Sequence, residues 1–465
     1  MKNLFFSLVD WTDERFPLTK LWNEHLAKYY APKNFNFWYY FGSLALLVLV
    51  IQFVSGIWLA MSYKPSAAEA FSSVEYIMRD VEWGWLIRYM HSTGASFFFV
   101  VVYLHMFRGL MYGSYKGKRE FLWLIGMAIY LCLMAEAFMG YLLPWGQMSF
   151  WGAQVIISLF GALPFGIGDV LSEWIRGDYV VSDATLNRFF ALHVIALPLA
   201  LLALVALHIM ALHEVGSNNP DGVEIKSNKD EAGVPRDGIP FHPYYTVKDI
   251  KGAVVFLFLF AIVVFFMPEF GGWFLEKDNF VKANPLATPE HIVPLWYFTP
   301  FYAILRAIPD KLTGVIAMNL AIFMLFLLPW LDRHPVKSIR YRSALFKLLI
   351  MLFAVTFVWL GYLGTQIPTT LRSELGFRLG ELYFSFFVIM WVYSTDRRPG
   401  FYFNTLVVVA VVLLGIDWIR YDEAKATVIW TSFLIPAIYY IVFLLGPIFT
   451  SLNESRPVPE RVIYQ

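Results

Sequence analysis

Four histidines within long apolar stretches are the residues of this chain best suited to chemistry. His91 and His105 are fourteen positions apart, and His193 and His208 are fifteen apart. On an α-helix, fourteen residues advance about 21 Å and end roughly 40° short of four turns, whereas fifteen advance about 22.5 Å and end roughly 60° past them. Each pair therefore lies on one broad face of its helix, at two depths.

Neutral imidazole is a good axial ligand for haem iron, and histidine inside a membrane helix is costly enough to indicate a function. A single such histidine could equally be an interhelical hydrogen-bonding residue. Two pairs at matched depths favour two haems, each held by one histidine from each helix. The predicted ligand pairs are His91 with His193 and His105 with His208.

Two further helices carry glycine pairs at the same interval of fourteen, Gly42 with Gly56 and Gly126 with Gly140. Glycine lets another group approach the backbone closely, so these positions are predicted to make room for two flat macrocycles. Close helix packing is the alternative, and it does not account for the matching interval.

Three arginines lie near the histidines in sequence and could bind haem propionates through charge-assisted hydrogen bonds. They are Arg88, Arg108 and Arg188. The alternative is that they are anchors at the membrane interface.

Composition limits the kind of protein that positions these residues. Of 465 residues, 58% are apolar and 15% charged, and the mean hydropathy is +0.57, which indicates an integral membrane protein. The net charge of +1 gives no basis for binding nucleic acid. With a single cysteine, Cys132, the chain cannot form an internal disulfide, hold an iron–sulfur cluster or bind a c-type haem covalently. The amino-terminal residues lack a convincing cleavage site, so no cleaved signal is expected.

The sequence predicts an all-α membrane protein of about ten spans, because roughly 20 apolar residues cross a bilayer. An amphipathic surface segment, residues 1–35, precedes a four-helix di-haem bundle at 36–250. Membrane helices with a long loop follow at 251–370, then an inserted hairpin at 371–426 and a last helix and tail at 427–465. The spans are expected at about 38–62, 88–112, 121–142, 185–212, 251–268, 313–331, 344–363, 376–394, 402–419 and 427–449.

Loop charge predicts the orientation. The loops at 113–120, 332–342 and 394–400 are basic and fall on the same side as both termini, which marks that side as cytoplasmic. The long loops at 143–184 and 269–312 lie opposite and are rich in aromatic residues and proline, so they are expected to form interfacial helices around a site. His91 and His193 are then nearer the outer face of a bacterial inner membrane.

Several motifs resemble the cytochrome b family of ubiquinol:cytochrome c oxidoreductases. They are FGSL at 41–44, RYMH at 88–91, FMGYLLPWGQMSFWGA at 138–153, RFFALH at 188–193, HEVGSNNPDG at 213–222, FHPYYTVKDI at 241–250 and PLWYFTPFYAILRAIP at 294–309. The resemblance covers about residues 10–365. It implies a Q cycle, with two non-covalent b haems, ubiquinol oxidised near the outer face and ubiquinone reduced near the cytoplasmic face. It also implies a c-type cytochrome subunit, a Rieske iron–sulfur subunit and a homodimeric complex in lipid.

For quinone reduction, the resemblance assigns His213, Ser217 and Asp249, with Lys248 adjacent. Histidine and aspartate can exchange protons with a quinone. The alternative is that His213 only ends a helix in a polar interface. Mitochondrial relatives typically have asparagine where this chain has Tyr40, which leaves one polar contact of this pocket open.

For quinol oxidation, the family's motif is PEWY, whose acid is thought to accept a proton. Here the segment reads Pro294, Leu295, Trp296, Tyr297. Leucine cannot accept a proton, so another group must replace the acid.

Glu136 is the predicted replacement, because it precedes Gly140 by about one helical turn and a carboxyl group inside a span is costly. Its alternative role is a hydrogen bond to a neighbouring helix. His291 and Glu290 are competitors closer to the membrane surface, and Tyr141 and Tyr297 are predicted to line the pocket.

Two other classes of protein remain open from the residues alone. A di-haem anchor could relay electrons between quinone and a peripheral dehydrogenase, and a haem-free transporter could use the polar groups for a substrate path. The paired histidines disfavour the transporter, and two separate quinone motifs disfavour the relay. The inserted hairpin is predicted to pack at the periphery.

Overall fold

The computed structural model describes residues 2–27, 29–394, 398–449 and 451–463. The described chain is mostly helical, with one antiparallel pair of short strands, Tyr30–Pro32 and Gly238–Pro240. The helices are α1 Lys2–Asp13, α2 Leu18–Trp22, α3 Tyr40–Ala60, α4 Ala70–Arg79, α5 Gly84–Tyr112, α6 Glu120–Leu142, α7 Gln147–Phe160, α8 Ile167–Arg176, α9 Asp183–Ala191, α10 Leu197–Val215, α11 Phe241–Phe266, α12 Thr299–Ala307, α13 Lys311–Phe326, α14 Leu328–Leu331, α15 Ala344–Thr365, α16 Thr370–Tyr393, α17 Pro399–Ile419, α18 Ala426–Ser432 and α19 Leu434–Phe449.

Nine helical stretches of the described residues are long and apolar enough to cross a membrane, which makes this a multi-pass membrane protein. They coincide with nine of the predicted spans. The remaining predicted span, about 313–331, is the shorter helix α13, followed by the single turn of α14. The prediction of an all-α membrane fold is confirmed.

A bundle of α3, α5, α6 and the joined helices α9 and α10 carries the four histidines. Helix α3 packs along α5, and α6 packs along α10. Glycine and small residues at these contacts allow close approach, and aromatic side chains fill the remaining space. Following the predicted orientation, the end with His91 and His193 is called the outer end, and the end with His105 and His208 the inner end.

Both long outer loops contain helices, as the sequence predicts. The loop after α6 forms α7 and α8, and the loop before α13 contains α12. Helix α12 packs against α13, α15 and α16. The residues just before α12 are the PLWY segment, so these helices fix its position at the outer end of the bundle.

The predicted hairpin, 371–426, joins two helices of very different burial. In its most apolar window, α16 has 56% of its residues buried, against 6% for α17. Arg378 of α16 is fully buried and forms ion pairs with Asp417 at 2.8 Å and Glu381 at 2.9 Å. Because a buried charge must be paired, this network joins α16 to α17. Helix α16 is part of the core, and α17 is the peripheral member.

Candidate functional site: two histidine pairs and an outer cavity

The structure brings the four histidines together in the predicted pairs. The ring centroids of His91 and His193 are 6.2 Å apart, and those of His105 and His208 are 6.4 Å apart. A metal–imidazole bond of about 2 Å, with roughly 1.1 Å from the nitrogen to the ring centre, gives about 6.2 Å between the two rings of a bis-histidine site. Both spacings therefore fit one iron between each pair.

A π-helical turn, Leu192–Ala196, brings His193 and His208 into register. The turn holds one more residue than an α-helical turn, so it absorbs the fifteenth residue of their interval. The other ligand helix, α5, needs no such turn, because its interval is fourteen. The interval of fifteen is visible in the sequence, but the place where the helix accommodates it is not.

Each of the four predicted glycines lies directly against one histidine ring. A Cβ atom would lie 3.3 Å from Cε1 of His105 at Gly42, 3.1 Å from Cε1 of His91 at Gly56 and 3.2 Å from Cε1 of His208 at Gly126. At Gly140 it would overlap with Cε1 of His193. The glycines therefore make room for the imidazoles.

Hydrogen bonds orient the outer pair. The backbone oxygen of Glu136 is 2.9 Å from Nδ1 of His193, and Gly140, one turn later, leaves that oxygen uncovered. Ser55 Oγ is 2.9 Å from Nδ1 of His91. Groups at Nδ1 direct the other ring nitrogen, Nε2, toward the space between the rings, as an iron ligand requires.

Two of the three predicted arginines, Arg88 and Arg108, lie close to the histidine pairs. Arg88 lines the outer cavity described below. Arg108 lies beside His105, 3.3 Å from its Nδ1, and its buried Nε has no hydrogen-bond partner. An unpartnered guanidinium nitrogen next to the ligands fits a propionate.

The structure places Arg188 against α8. Its side chain is exposed, donates a hydrogen bond to the backbone oxygen of Trp174 and packs over Gly177. Its place on the exposed face of α9 brings it against α8, which proximity in sequence could not reveal.

A cavity of about 230 Å³ at the outer end extends from the ligand pair to the PLWY segment. Its walls include His91, His193 and Glu136 on one side and Tyr141, Leu275, Asn279, Leu295 and Tyr297 on the other. Leu295 is 7% exposed and belongs to the apolar core. A cavity that is mostly apolar, with a few polar groups, suits a hydrophobic ring compound such as quinol.

The rest of the PLWY segment is firmly held. Tyr297 stacks on Phe99 with 3.9 Å between ring centroids, and Tyr103 donates a hydrogen bond of 2.5 Å to its backbone oxygen. Trp296 Nε1 donates to Ser96 Oγ at 3.1 Å. Pro294, which precedes Leu295, is partly buried. These contacts tie the segment to α5.

The carboxyl group of Glu136 lies beside a predicted ligand. Its Oε1 is 3.0 Å from Nδ1 of His193, and its Oε2 is buried without a hydrogen-bond partner. Of the competitors, His291 is 3.3 Å from the backbone oxygen of Thr365, at the end of α15. It is not among the residues that line the cavity.

A carboxyl group that the sequence did not single out lies behind the cavity wall. The hydroxyl of Tyr141 and Nδ2 of Asn279 each donate a hydrogen bond of 3.0 Å to Oε2 of Glu276. Burial raises the pKa of Glu276 to about 7, although these hydrogen bonds lower it. The only available signal was the missing acid of the PLWY segment, because Glu276 is 135 residues from Tyr141 in sequence.

At the inner end, the structure adds Tyr29 to the predicted quinone-reduction residues. Its ring stacks on His213 with 4.5 Å between centroids, and its hydroxyl is 3.0 Å from Ser217 Oγ. Lys226 donates hydrogen bonds to the backbone oxygens of His213 and Glu214 and so closes the end of α10. His213 and Ser217 are therefore brought together by a residue of the amino-terminal segment.

Asp249 and Lys248 lie on α11 of the same end. Asp249 is partly buried beside Ser43 and Tyr40. Lys248 is exposed, with its ammonium group 5.2 Å from the centre of the Tyr245 ring. Tyr40, the position that departs from mitochondrial relatives, also packs against Gly252 of α11.

This fold and its two histidine pairs define a multi-pass membrane protein built for electron transfer. Family models agree: one for cytochrome b/b6/petB matches residues 26–216, and one for cytochrome b(C-terminal)/b6/petD matches 282–384. The chain is 61% identical to a cytochrome b of Allochromatium vinosum over 395 residues, covering 83% of this chain and 95% of the relative. It is 54% identical to a cytochrome b of Rhodospirillum rubrum over 358 residues, covering 77% and 85%.

A solved structure of a hyperthermophilic respiratory Complex III contains a similar chain, with a TM-score of 0.77 and 41% identity, covering 83% of this chain and 98% of that one. This chain belongs to the cytochrome b family. Its function is that of the family in quinol:cytochrome c oxidoreductase, the coupling of quinol oxidation to quinone reduction across a membrane.

Proposed function

We propose that this chain holds two b haems, an outer one between His91 and His193 and an inner one between His105 and His208. The observation that supports this is the pair of ring separations, 6.2 and 6.4 Å, which both match a bis-histidine iron site. The haems supply one-electron transfer between the two ends of the bundle. The residues of the chain fix the rings, exclude water and bind the propionates, with Arg88 at the outer end and Arg108 at the inner end.

Ubiquinol is oxidised in the outer cavity. Leu295 and Tyr297 form an apolar wall beside the outer ligand pair. Tyr141 also lines the cavity, and its hydroxyl donates a hydrogen bond to the carboxylate of Glu276. Pro294 and Trp296 keep this wall in place against α5. An apolar pocket beside the outer pair keeps a bound quinol within reach of electron transfer in two directions.

Ubiquinone is reduced at the inner end, where His213 and Ser217 are the proton-exchanging and hydrogen-bonding groups. Asp249 and Lys248 lie on the neighbouring helix and supply further protons. Tyr29 orients His213 by stacking. The separation of the two quinone sites by the length of the bundle supports a Q cycle.

The chain works in a complex in a bacterial inner membrane. One electron leaves to a Rieske iron–sulfur subunit and from there to a c-type cytochrome subunit, because the single cysteine of this chain, Cys132, cannot hold either centre. The complex is a homodimer surrounded by lipid. Nine apolar spans among the described residues, and basic loops on one side in the sequence, support this placement.

Redox difference spectra of the purified complex test the haem assignment. The wild type is expected to show two b-type signals, His193→Asn to lose the outer one and His208→Asn the inner one. Inhibitors acting at two distinct quinone sites should each stop turnover, which separates this function from a simple electron relay. A wild-type complex without b-type absorption would overturn the proposal.

A further inference from the structure

The outer loop between α11 and α12 and the end of α6 together carry a closed set of three hydrogen-bonded side chains. Tyr141 Oη and Asn279 Nδ2 each donate to Glu276 Oε2 at 3.0 Å, and Asn279 Nδ2 is also 3.1 Å from Tyr141 Oη. Both bonds to the carboxylate end on one oxygen, and one of the donors is a hydroxyl that can itself exchange a proton.

The loop that carries Glu276 is firmly attached to the end of α6 and the start of α7. Asn279 Oδ1 accepts a hydrogen bond of 2.8 Å from the backbone nitrogen of Ser149. Gln147 donates to the backbone oxygen of Val281 at 2.9 Å, and Ala283 to that of Trp145 at 3.0 Å. Glu276 therefore has a fixed place relative to Tyr141, which a proton relay requires.

The three side chains adjoin the cavity. Tyr141 and Asn279 line it, together with Leu295 and Tyr297, while Glu276 lies one hydrogen bond behind them. Glu276 also acts electrostatically on Tyr297. A proton released in the cavity would meet the Tyr141 hydroxyl first and the Glu276 carboxylate next.

No cation neutralises Glu276 among the ion pairs of the residues that the structure describes. Burial is the largest influence on it and raises its pKa to about 7; the hydrogen bonds from Tyr141 and Asn279 lower it, and the charge of Asp278 raises it. A carboxyl group with a pKa near the working pH can both take up and release a proton.

We propose that Glu276 is the proton acceptor for quinol oxidation and that it acts through the Tyr141 hydroxyl. This inference rests on the proposed function of the outer cavity. As the quinol O–H bond breaks, its proton forms an O–H bond with Tyr141 Oη, and the proton that Tyr141 held passes to Glu276 Oε2. The second proton of the quinol leaves with the electron that the iron–sulfur subunit accepts, and the other electron would pass to a haem held by the outer histidine pair, so both protons and both electrons are accounted for.

The position of Glu136 suits a different task. Its backbone oxygen and its Oε1 both approach Nδ1 of His193, at 2.9 and 3.0 Å, so it holds a ligand ring in place. Glu276 is instead bound to Tyr141, between the cavity and the outer loop. The two carboxyl groups thus make separable predictions.

The test compares four variants of the whole complex in steady-state quinol:cytochrome c reduction from pH 5.5 to 8.5, with haem spectra of each. Glu276→Gln should lower kcat about 100-fold and remove the rise in rate through pH 7, since the amide cannot accept a proton. Glu276→Asp should restore a large part of the rate. Glu173→Gln, an exposed glutamate on α8 of the outer loop, is the matched control and should keep most of the rate and the pH profile. Glu136→Gln should change the outer haem signal more than the pH profile.

An unchanged rate and pH profile in Glu276→Gln, with both haem signals present, would overturn this proposal and leave the proposed function standing. A wild-type complex with no haem and no quinol oxidation would overturn both. If Glu276→Gln does not assemble, Tyr141→Phe takes its place, because it removes the relay hydroxyl and keeps the ring. A wild-type pH profile in Tyr141→Phe would then contradict the relay.

Discussion

The outer and inner ends of the histidine bundle are joined to their loops by different forces. At the outer end, the loop that holds Glu276 and Asn279 is attached by backbone hydrogen bonds and by neutral donors such as the hydroxyl of Tyr141, which donates to Glu276. At the inner end, the loops are attached by ion pairs: Arg119 with Glu224 at 2.6 Å, and Lys116 with Asp332 at 2.9 Å. The outer end remains mostly apolar around its cavity, whereas the inner end is rich in fixed charge.

Two glutamates show what this difference does to the chemistry. Burial would raise the pKa of Glu224, but hydrogen bonds and charge from Arg119 and Lys337 bring it down to about 2. Glu276 is raised to about 7, because burial acts on it without a cation. The same residue type is therefore a permanent anion that ties loops together at one end and a group able to take up protons at the other.

The largest effect is expected at the glycines that face the ligands. Gly140→Ala should abolish the outer haem signal, because the new methyl group would overlap with the His193 ring. Gly126→Ala, the matched change at the inner end, should retain much of the inner signal, since its methyl group would lie 3.2 Å from Cε1 of His208. Difference spectra of the two variants measure this directly. Equal loss of both haems would show that the two ends are packed alike.

A smaller effect, on quinone reduction at the inner end, is expected from substitutions of Tyr29. Tyr29→Phe keeps the stacking on His213 and loses one hydrogen bond to Ser217, which is worth about 1 kcal/mol, or roughly a fivefold change. Tyr29→Ala loses both contacts and should slow quinone reduction further. Reduction of the haems by quinol through the inner site, with the outer site inhibited, isolates this step. If Phe and Ala behave alike, the stacking has no role.

The smallest effect is expected from Glu224, as a dependence of stability on pH. Its pKa is lowered from 4.5 to about 2, so its contribution is fully present above about pH 4.5 and disappears as the pH falls toward 2. Because the side chain is 39% exposed, the contribution is at most about 1 kcal/mol.

Thermal unfolding of Glu224→Gln measures this contribution. The midpoint should lie below that of the wild type at pH 7, and the gap should narrow by pH 3.5. Glu231→Gln, an exposed acid of the same connection, is the control. A gap that stays constant with pH would mean that the carboxylate charge is not the cause.

The sequence predicted the spans and the ligand pairs because both are local patterns. Hydropathy defines a membrane helix from its own residues, and the intervals of histidine and glycine within one helix already fix their depths. The pairing between helices then follows from their common direction. These are the parts of the fold that need no knowledge of distant contacts.

What the sequence did not predict depends on contacts between distant segments. Tyr29 is 188 residues from Ser217, and Glu276 is 135 residues from Tyr141. Neither has an unusual local setting. Arg188 was assigned by its nearness to His193, but side-chain direction on a helix separates neighbours in sequence. The limits of the inserted hairpin, 371–426, stay a prediction, although the burial of α16 and a family match reaching residue 384 favour a later start.

The π-helical turn at Leu192–Ala196 gives this ligand helix a tolerance for changes in length. Losing one residue between His193 and His208 would return the interval to fourteen and let the turn close as ordinary α-helix, with both rings still aligned. The continuous helix α5 has no surplus residue, so a deletion between His91 and His105 would rotate one ligand by about 100° relative to the other. A one-residue deletion is therefore expected to be tolerated between His193 and His208 and excluded between His91 and His105.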